Sequence, residues 1–142
     1  MKTNRFASLL VCGLLIGLAA TSAHAQSPMK VNVPFDFTIV DTHLSAGQYT
    51  IVQASPQANP RALMLRNADG IVRALSMGIR LESLKVNEPK LVFRKYGNKY
   101  FLSEVWLSAG DSGTEIRKGS HERELAQTNK TTAESVIVAA LH

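Results

Sequence analysis

The chain has 142 residues, 45% of them hydrophobic, with a formal net charge of +5 and a single cysteine. This size is typical of one domain with its own apolar core. The only cysteine, Cys12, lies in the N-terminal apolar run, so a disulfide framework and a cysteine-ligated metal are excluded from the rest of the chain. Because the basic residues are spread along the chain and form no block, we expect no nucleic-acid partner.

The first 25 residues have the three parts of a secretory signal peptide. Lys2 and Arg5 precede an apolar run from Phe6 to Ala20, and the small-residue site Ala23-His24-Ala25 follows it. The run is too short for a comfortable membrane span, and no stop-transfer pattern comes after it. We therefore predict cleavage before Gln26 and a periplasmic or secreted protein without a membrane span after cleavage.

The mature chain opens with the side-chain alternation of half-buried strands. Phe35, Phe37 and Ile39 fall on one face of a first predicted strand. Pro34 cannot donate a hydrogen bond to a ladder, which indicates an edge position or an irregular start. A second alternating strand is predicted around Tyr49, after a polar, turn-forming segment.

A first hairpin is predicted at Asn67-Ala68-Asp69-Gly70, which joins the strand-like residues 62–66 and 71–76. Asparagine opening a turn that ends on glycine is typical of a hairpin with a glycine bulge. The apolar stretch 79–86 that follows predicts either a short strand or a loop.

A second hairpin, from Lys90 to Leu107, has the two-residue turn Gly97-Asn98, which matches the twist of paired strands. Pairing Tyr96 with Lys99 divides the side chains between two faces. One face holds Leu91, Phe93, Lys95, Tyr100, Leu102, Glu104 and Trp106, and the other holds Val92, Arg94, Tyr96, Lys99, Phe101, Ser103 and Val105. We expect the first face to lie in the core, with Phe93, Leu102 and Trp106 buried.

The C-terminal third predicts less regular structure. Residues 108–114 are expected to form a loop, Ser120 to cap a short helix over residues 121–127, and Ser135–Ala140 to form a final strand. About seven short strands separated by turns predict an all-β fold for residues 26–142. We favour an antiparallel β-sandwich over a small barrel, as a single β domain with one short C-terminal helix before a final strand.

Two motifs resemble a protease site and a metal site, but neither has the further residues that such a site needs. Gly110-Asp111-Ser112-Gly113 matches the tetrapeptide around the nucleophile of chymotrypsin-like proteases, but the chain is too short for the two β-barrels of that family. His121 and Glu124, with Glu115 nearby, have the spacing of two metal ligands without a third, and a solvated face explains them. The sequence therefore assigns no catalytic residue, metal or cofactor, and favours a protein that is not an enzyme.

The segment Leu44-Ser45-Ala46-Gly47-Gln48-Tyr49 has the turn-glycine-x-tyrosine pattern that enters strands of many β-sandwich domains. In such domains the tyrosine hydroxyl holds a neighbouring loop, as in a tyrosine corner. We expect this structural use of Tyr49.

Four spaced elements carry a resemblance to a known family. They are Val33-Pro34-Phe35-Asp36-Phe37, Leu44-Ser45-Ala46-Gly47-Gln48-Tyr49, Lys90-Leu91-Val92-Phe93-Arg94-Lys95-Tyr96-Gly97-Asn98-Lys99-Tyr100-Phe101-Leu102 and Glu122-Arg123-Glu124-Leu125-Ala126. Together, over nearly the whole mature chain, they resemble a family of uncharacterised small exported proteins abundant in acidobacterial genomes. The resemblance brings no catalytic or binding residues with it. Ser45 stands where proline is common in that family, which affects the stiffness of the turn.

Two functions of different classes follow. The favoured one is an exported, non-catalytic module with a binding or structural role in the periplasm or cell envelope, by analogy with other exported β-sandwiches. Its partner would be an anionic envelope polymer or another envelope protein. The alternative is a small hydrolase of an envelope or extracellular polymer, which needs carboxylates such as Asp36, Glu104 and Asp111 to converge in space.

The second face of the main hairpin is the predicted binding face. Arg94, Tyr96, Lys99 and Phe101 interleave two cations with two rings, which suits an anionic polymer through charge-assisted hydrogen bonds and stacking. The alternative is structural. The two rings would then cover the second side of a central strand pair, while the aliphatic stems of the cations lie over them.

Overall fold

The computed structural model describes residues 28–129 and 133–141, so the predicted signal peptide lies outside the described residues. Within them, no helix has the length and apolar character needed to cross a bilayer. The elements are β1 (Met29–Val33), β2 (Phe37–Ile39), β3 (Thr42–Leu44), β4 (Gly47–Ser55), β5 (Asn59–Asn67), β6 (Val72–Val86), β7 (Lys90–Tyr96), β8 (Lys99–Trp106), β9 (Gly110–Ile116), α1 (Ser120–Asn129) and β10 (Glu134–Ala139).

The strands follow one hydrogen-bonded path in the order β1-β4-β5-β6-β9-β8-β2-β3, and β7 joins β8 to β10. The expected all-β fold, with one short helix before the final strand, is confirmed. The expected antiparallel pairing is wrong at one place, because β2 and β8 run parallel where Thr38 meets Phe101. The sheet is not closed into a barrel: in the described residues, β1 pairs with β4 alone and β10 with β7 alone.

Strand β6 belongs to both halves of the sheet. Over its 15 residues it pairs with β5 as far as Met77 and with β9 from Gly78 onward. A Cβ at Gly78 would overlap the side chain of Thr114 and the backbone oxygen of Glu115, so the changeover of partners requires glycine. The stretch 79–86, predicted as a short strand or a loop, is therefore the second half of one long strand.

One main core connects the two halves of the sheet. The Phe37 ring from β2 meets the rings of Tyr49 on β4 and Phe93 on β7, with both centroid distances at 5.4 Å and the ring planes nearly perpendicular. Fully buried aliphatic side chains from β1, β4, β5, β7 and β9 fill the space around these rings: Val31, Val33, Ile51, Leu63, Leu65, Leu91 and Ile116. Edge-to-face rings add to the apolar burial that holds the halves together.

The hairpin predicted at residues 67–70 is confirmed. The Gly70 amide donates to the Asn67 carbonyl at 3.0 Å, and the Ile71 amide donates to the Asn67 side-chain oxygen at 2.9 Å. Gly70 has a φ of 77°, which glycine adopts without steric cost. The asparagine and the glycine therefore make the turn that joins β5 to β6.

The β7–β8 hairpin has the predicted turn but also a bulge that changes its register. Phe93 pairs with Leu102, whereas Val92 pairs with Glu104, so Ser103 has no partner of its own across the ladder. The Ser103 hydroxyl donates to the carbonyl of Val92 at 2.8 Å. A one-residue insertion moves every later side chain of the strand to the opposite face.

The bulge makes the predicted faces wrong for the end of β8. Val105 lies in the main core, and Trp106 packs on the other side of the sheet with Val86 and Val92. Trp106 is buried, as predicted, but against this second cluster. Its ring lies so close to Gly113 that a Cβ there would overlap it, so the glycine of the protease-like tetrapeptide has a packing role.

The remaining differences concern short, polar strands. Pro34 separates β1 from β2, so Phe35 lies outside both strands and its ring stacks on Tyr100 at 3.8 Å. The predicted turn before Tyr49 contains β3, and the predicted loop 108–114 is largely β9. Strand β9 has little apolar alternation because its pairing with β6 and β8 supplies the order. The predicted final strand is confirmed as β10.

Candidate functional site

The predicted binding face lies beneath helix α1. Arg94 pairs with Phe101, and Tyr96 with Lys99, as the predicted register requires. The Arg94 guanidinium makes two contacts with the Glu122 carboxylate, from Nε to Oε1 at 2.5 Å and from Nη2 to Oε2 at 3.2 Å. The Glu122 side chain is 2% exposed and that of Arg94 is 18% exposed. This two-pronged contact is the strong geometry for an arginine and a carboxylate.

The other residues of this face also contact the helix or each other. The Tyr96 hydroxyl donates to Glu122 Oε1 at 3.4 Å, and its ring stands edge-on to Phe101 at 5.8 Å. Lys99 Nζ lies 3.2 Å from Nε2 of the exposed His121. Three of the four residues are therefore held within the fold, and Lys99 is the exposed one. The binding role of this face stays a prediction.

The first turn of α1 is fixed from another part of the chain. The Asp41 carboxylate, from the turn between β2 and β3, accepts hydrogen bonds from the amide and the hydroxyl of Ser120, both at 2.8 Å. The hydrogen bond from the Ser120 side chain lowers the pKa of Asp41 below its usual value of 3.8. The predicted helix is present, but Ser120 is its first residue and the capping group is the Asp41 carboxylate, so the prediction that the Ser120 side chain caps the helix is wrong.

The predicted structural role of Tyr49 is supported by geometry. Its hydroxyl donates to the Ser45 carbonyl at 2.6 Å and so holds the turn that leads into β4. Burial raises the pKa of Tyr49 above its usual value of 10.0.

Of the carboxylates named for a hydrolase, Asp36 and Glu104 are not brought into one cavity among the described residues. Asp36 lines a cavity of about 470 Å³ near the start of α1, and its Oδ1 accepts a hydrogen bond from the Ala46 amide. Glu104 accepts from the Trp106 indole at 2.9 Å and lies opposite Glu115 on β9. The side chain of Asp111 is outside what the structure describes.

A metal site is the less favoured interpretation of His121, Glu124 and Glu115, and a solvated face is the favoured one. Across residues 28–129 and 133–141, no three histidine, cysteine, aspartate or glutamate side chains are grouped as a metal ion would require. The carboxylate that matters on α1 is Glu122, one position after His121. Sequence reasoning missed it because a single glutamate in a polar helix carries no signal of burial.

A different feature, which we call the edge cleft, lies between β6 and the turn that joins β2 to β3. Its volume is about 750 Å³. The residues that line it come from β6, from the β2–β3 turn, from the start of β5 and from the segment after β9: Leu75, Ser76, Met77, Gly78 and Ile79; Ile39, Val40, Asp41 and Thr42; Ala58, Asn59, Pro60 and Arg61; and Arg117.

The edge of β6 faces this cleft. Five consecutive residues, Leu75–Ile79, line it, although successive side chains of a strand point to opposite faces. The backbone of β6 therefore borders the cleft together with its side chains. Strand β5 occupies one edge of β6 up to Met77, and within the described part of the chain no strand pairs with the other edge at Leu75–Met77. From Gly78 onward that other edge is paired with β9.

The cleft also holds a polar atom without a partner. Ser76 is 5% exposed, and among the described residues its hydroxyl has no hydrogen-bond partner. A neighbouring cavity of about 420 Å³, which shares Arg61 with the edge cleft, contains the similarly unpartnered side-chain oxygen of Gln53. Buried polar atoms are nearly always hydrogen-bonded, so such exceptions mark places where a ligand can supply the bond.

The outward side chains beside the cleft are apolar and exposed. Leu75 is 65% exposed, Met77 64% and Ile79 44%. The segment between Arg73 and Arg80 contains no charged residue and no proline. Natural edge strands are usually protected by such residues, so an unprotected apolar edge is a place where another chain pairs.

Comparison of this chain with protein-family models, with curated proteins and with solved structures found no match. The edge cleft is therefore the candidate functional site on the basis of its geometry alone.

Proposed function

We propose that the protein is an exported, non-catalytic binding module of the periplasm or cell envelope, and that the edge cleft is its binding site. The observation that carries this proposal is the unpaired edge of β6 at Leu75–Met77, with the buried Ser76 hydroxyl and exposed apolar side chains beside it. The volume of the edge cleft, about 750 Å³, lies within the range of roughly 300–1,000 Å³ that ligand sites occupy.

The charges around the cleft favour an anionic partner. Arg61 and Arg117 both line it. Asp41, which among the described residues is the one carboxylate that lines it, is engaged by Ser120. Two cations on one cleft attract an anionic group and also speed its encounter at low ionic strength. The partner is accordingly an anionic component of the envelope.

The proposal is tested by reversing these charges. We expect Arg61→Glu combined with Arg117→Glu to abolish retention of the purified protein on immobilised envelope material at low salt, because attraction becomes repulsion. The control is Arg66→Glu combined with Lys118→Glu, which makes the same change of charge at exposed positions that do not line the cleft. Equal loss of retention in both double variants would refute the assignment of the site.

The helix-covered face needs a separate test. Replacing both Arg94 and Lys99 by glutamine deprives the buried Glu122 of its partner, so the double variant loses stability as well as charge. Lys99→Gln alone removes the exposed cation and leaves that ion pair intact. If this face binds the polymer, the single variant weakens retention without a change of melting temperature; unchanged retention leaves the edge cleft as the site.

Export is the second part of the proposal and rests on the signal-like N-terminus. Mass spectrometry of the protein purified from its native source is expected to find an N-terminus at or near Gln26. An intact Met1 in a cytoplasmic fraction would contradict export.

A further inference from the structure

We propose that the edge cleft and the neighbouring cavity form one site, which binds an acidic disaccharide through its hydroxyls and its acidic group. The inference rests on the proposed binding function and names the class of ligand. Pro60 and Arg61, near the start of β5, line both cavities, so the two spaces adjoin there. A ligand that enters beside Arg61 can therefore reach into both.

The two buried oxygens without partners lie on one row across the sheet. Gln53 on β4 pairs with Leu63 on β5, and Leu63 pairs with Ser76 on β6. Directly paired residues of antiparallel strands point their side chains to the same face, and Leu63 is fully buried in the core. Gln53 and Ser76 therefore stand on either side of Leu63 at the inner face, Gln53 in the neighbouring cavity and Ser76 in the edge cleft.

These oxygens determine which groups the ligand presents. The side-chain oxygen of Gln53 only accepts hydrogen bonds, and the Ser76 hydroxyl both donates and accepts them. Among the described residues neither atom has a partner. A hydroxyl of the ligand satisfies either atom, whereas a carboxylate has no donor for Gln53. The ligand therefore carries hydroxyls as well as charge.

The spacing of the row sets the length of the ligand. Gln53 and Ser76 are two strands apart. Neighbouring strands lie about 4.7–4.9 Å from each other, so the two residues are separated by roughly 9–10 Å. Two linked sugar units span this distance, and a single sugar does not.

Three arginines supply the charge. Arg61 lines both cavities, Arg117 lines the edge cleft and Arg80 lines the neighbouring cavity. The Nε of Arg80 lies 3.5 Å from Oε1 of Glu82, but both side chains are mostly exposed, and such a pair is weak. Asp41, which among the described residues is the one carboxylate that lines either cavity, is engaged in capping α1. The arginines therefore hold an acidic group of the ligand through charge-assisted hydrogen bonds.

Two other kinds of ligand fit less well. A simple dicarboxylate satisfies the arginines but leaves the buried oxygens of Gln53 and Ser76 unpaired, which is costly. An acyl chain leaves both the arginines and the oxygens unpaired, and the neighbouring cavity is lined by residues that bear hydroxyls: Ser108, Ser112 and Thr114. An acidic disaccharide supplies a partner for each group.

The first experiment leaves the protein unchanged and varies the ligand. Isothermal titration calorimetry at low salt measures binding of digalacturonate, a disaccharide with a carboxylate on each sugar. Three matched probes each remove one property: its dimethyl ester lacks the charge, adipate lacks the hydroxyls, and galacturonate lacks the second sugar. We expect each probe to bind more weakly by roughly tenfold or more, because ionic contacts or hydrogen bonds are lost.

A further probe distinguishes the two sources of an acidic group. Trehalose 6-phosphate is also an acidic disaccharide, but its charge is on a phosphate. Binding of this compound in place of digalacturonate would support the same class of ligand and assign phosphate as its acidic group.

The second experiment removes the two buried oxygens. Ser76→Ala and Gln53→Met are each expected to weaken binding of digalacturonate by roughly tenfold. Each should leave the melting temperature unchanged or raise it, because an unpaired polar group is replaced by an apolar group of similar shape. The control is Ser103→Ala. The Ser103 hydroxyl is already bonded to the Val92 carbonyl, so this variant should lower the melting temperature and leave binding unchanged.

The third experiment tests whether the two cavities act together. Arg80 lines the neighbouring cavity and not the edge cleft, so Arg80→Gln should weaken binding by roughly tenfold only if both spaces belong to one site. Arg73→Gln is the matched control, since Arg73 lies on the same strand and lines neither cavity. Equal binding by the parent and Arg80→Gln would contradict a shared site.

The outcomes separate this inference from the proposed function. If adipate or the dimethyl ester binds as tightly as digalacturonate, the class of ligand is wrong. If Ser76→Ala and Gln53→Met lower the melting temperature and leave binding unchanged, ordered water satisfies the two oxygens and the inference fails. If neither acidic disaccharide binds, but envelope material is retained and that retention is lost in the Arg61→Glu and Arg117→Glu variant, the binding module stands and this inference is wrong. If that variant also retains envelope material, both fail.

Discussion

Two regions of this molecule contain arginines next to apolar side chains, and they differ in what covers them. Over the β7–β8 hairpin, helix α1 places Glu122 against Arg94 and seals the face. At the edge cleft, Arg61 and Arg117 line the same cavity as a strand segment with one unpaired edge, Leu75–Met77, and a buried hydroxyl without a partner in the described residues. The comparison teaches that arginines beside apolar side chains are held within the fold in one region and left accessible in the other, and that residue type alone does not separate the two cases.

The energetics of the two regions differ for the same reason. A buried ion pair adds little net stability compared with apolar residues of the same volume, yet removing one member leaves a buried charge uncompensated. The covered face should therefore be sensitive to single substitutions. The edge cleft, whose apolar side chains are exposed, should tolerate them.

The largest effect is expected at the covered face. Glu122→Ala should lower the free energy of unfolding by about 3–5 kcal/mol, because Arg94 remains beneath the helix without its partner. Urea denaturation measures this. The control, Glu124→Ala on the exposed side of the same helix, should change it by no more than about 0.5 kcal/mol.

A double replacement sharpens the same point. Arg94→Met combined with Glu122→Leu should recover most of the loss, because the pair is exchanged for apolar groups of similar size. If the double variant is as unstable as Glu122→Ala alone, the ion pair contributes more to stability than the filling of its volume and the neutralisation of the two charges.

The next largest effect tests the joint at which β6 changes partners. Gly78→Val should cost about 1–3 kcal/mol, because its side chain would overlap Thr114 and the backbone of Glu115. Met77→Val, at the exposed position beside it, is the matched control and should lie within about 0.5 kcal/mol of the parent. A neutral Gly78→Val would show that β9 can move away from β6 without loss.

A smaller effect is expected at the open edge. Leu75→Ala should change the free energy of unfolding by no more than about 0.5 kcal/mol, because Leu75 is 65% exposed. On the adjacent strand, Leu63 is fully buried, and Leu63→Ala should cost about 2–5 kcal/mol. A large cost at Leu75 would mean that this side chain is already covered in the native protein, against the proposed docking role.

The smallest effect connects the two regions through Asp41, which lines the cleft and caps α1. The hydrogen bond from Ser120 lowers the pKa of Asp41, so its contribution to stability is complete above the usual value of 3.8 and is lost as the pH falls through the lowered pKa. Asp41→Asn removes this dependence. Thermal melts of parent and variant should therefore differ at neutral pH and converge in acid; a constant difference would contradict the assignment.

Local sequence patterns predicted much of the fold. The turns at Asn67–Gly70 and Gly97-Asn98, the strand around Tyr49 and the final strand are all confirmed, because turn chemistry and alternation act between near neighbours. The Ser103 bulge was not predicted. One extra residue in β8 leaves the alternation before it intact, and the change of register is visible only in the pairing with β7.

These local patterns did not predict the candidate site. No residue type distinguishes Leu75–Ile79 from any other apolar strand, and the four residues predicted to bind do form one face, as the register required. That helix α1 covers this face was not predictable. The partner of Arg94 is Glu122, which lies 28 positions along the chain, and no local sequence pattern indicates their contact.

By itself, the sequence determined what depends on residues close together in the chain: the all-β character, the hairpin turns, the short helix and the final strand. Only the tertiary structure decided which strand edges are paired and which face the helix covers, because these depend on contacts between distant segments. Strand β6 is paired with β5 along one half and with β9 along the other. That division of partners leaves the second edge of β6 open at Leu75–Met77, and no local pattern records it.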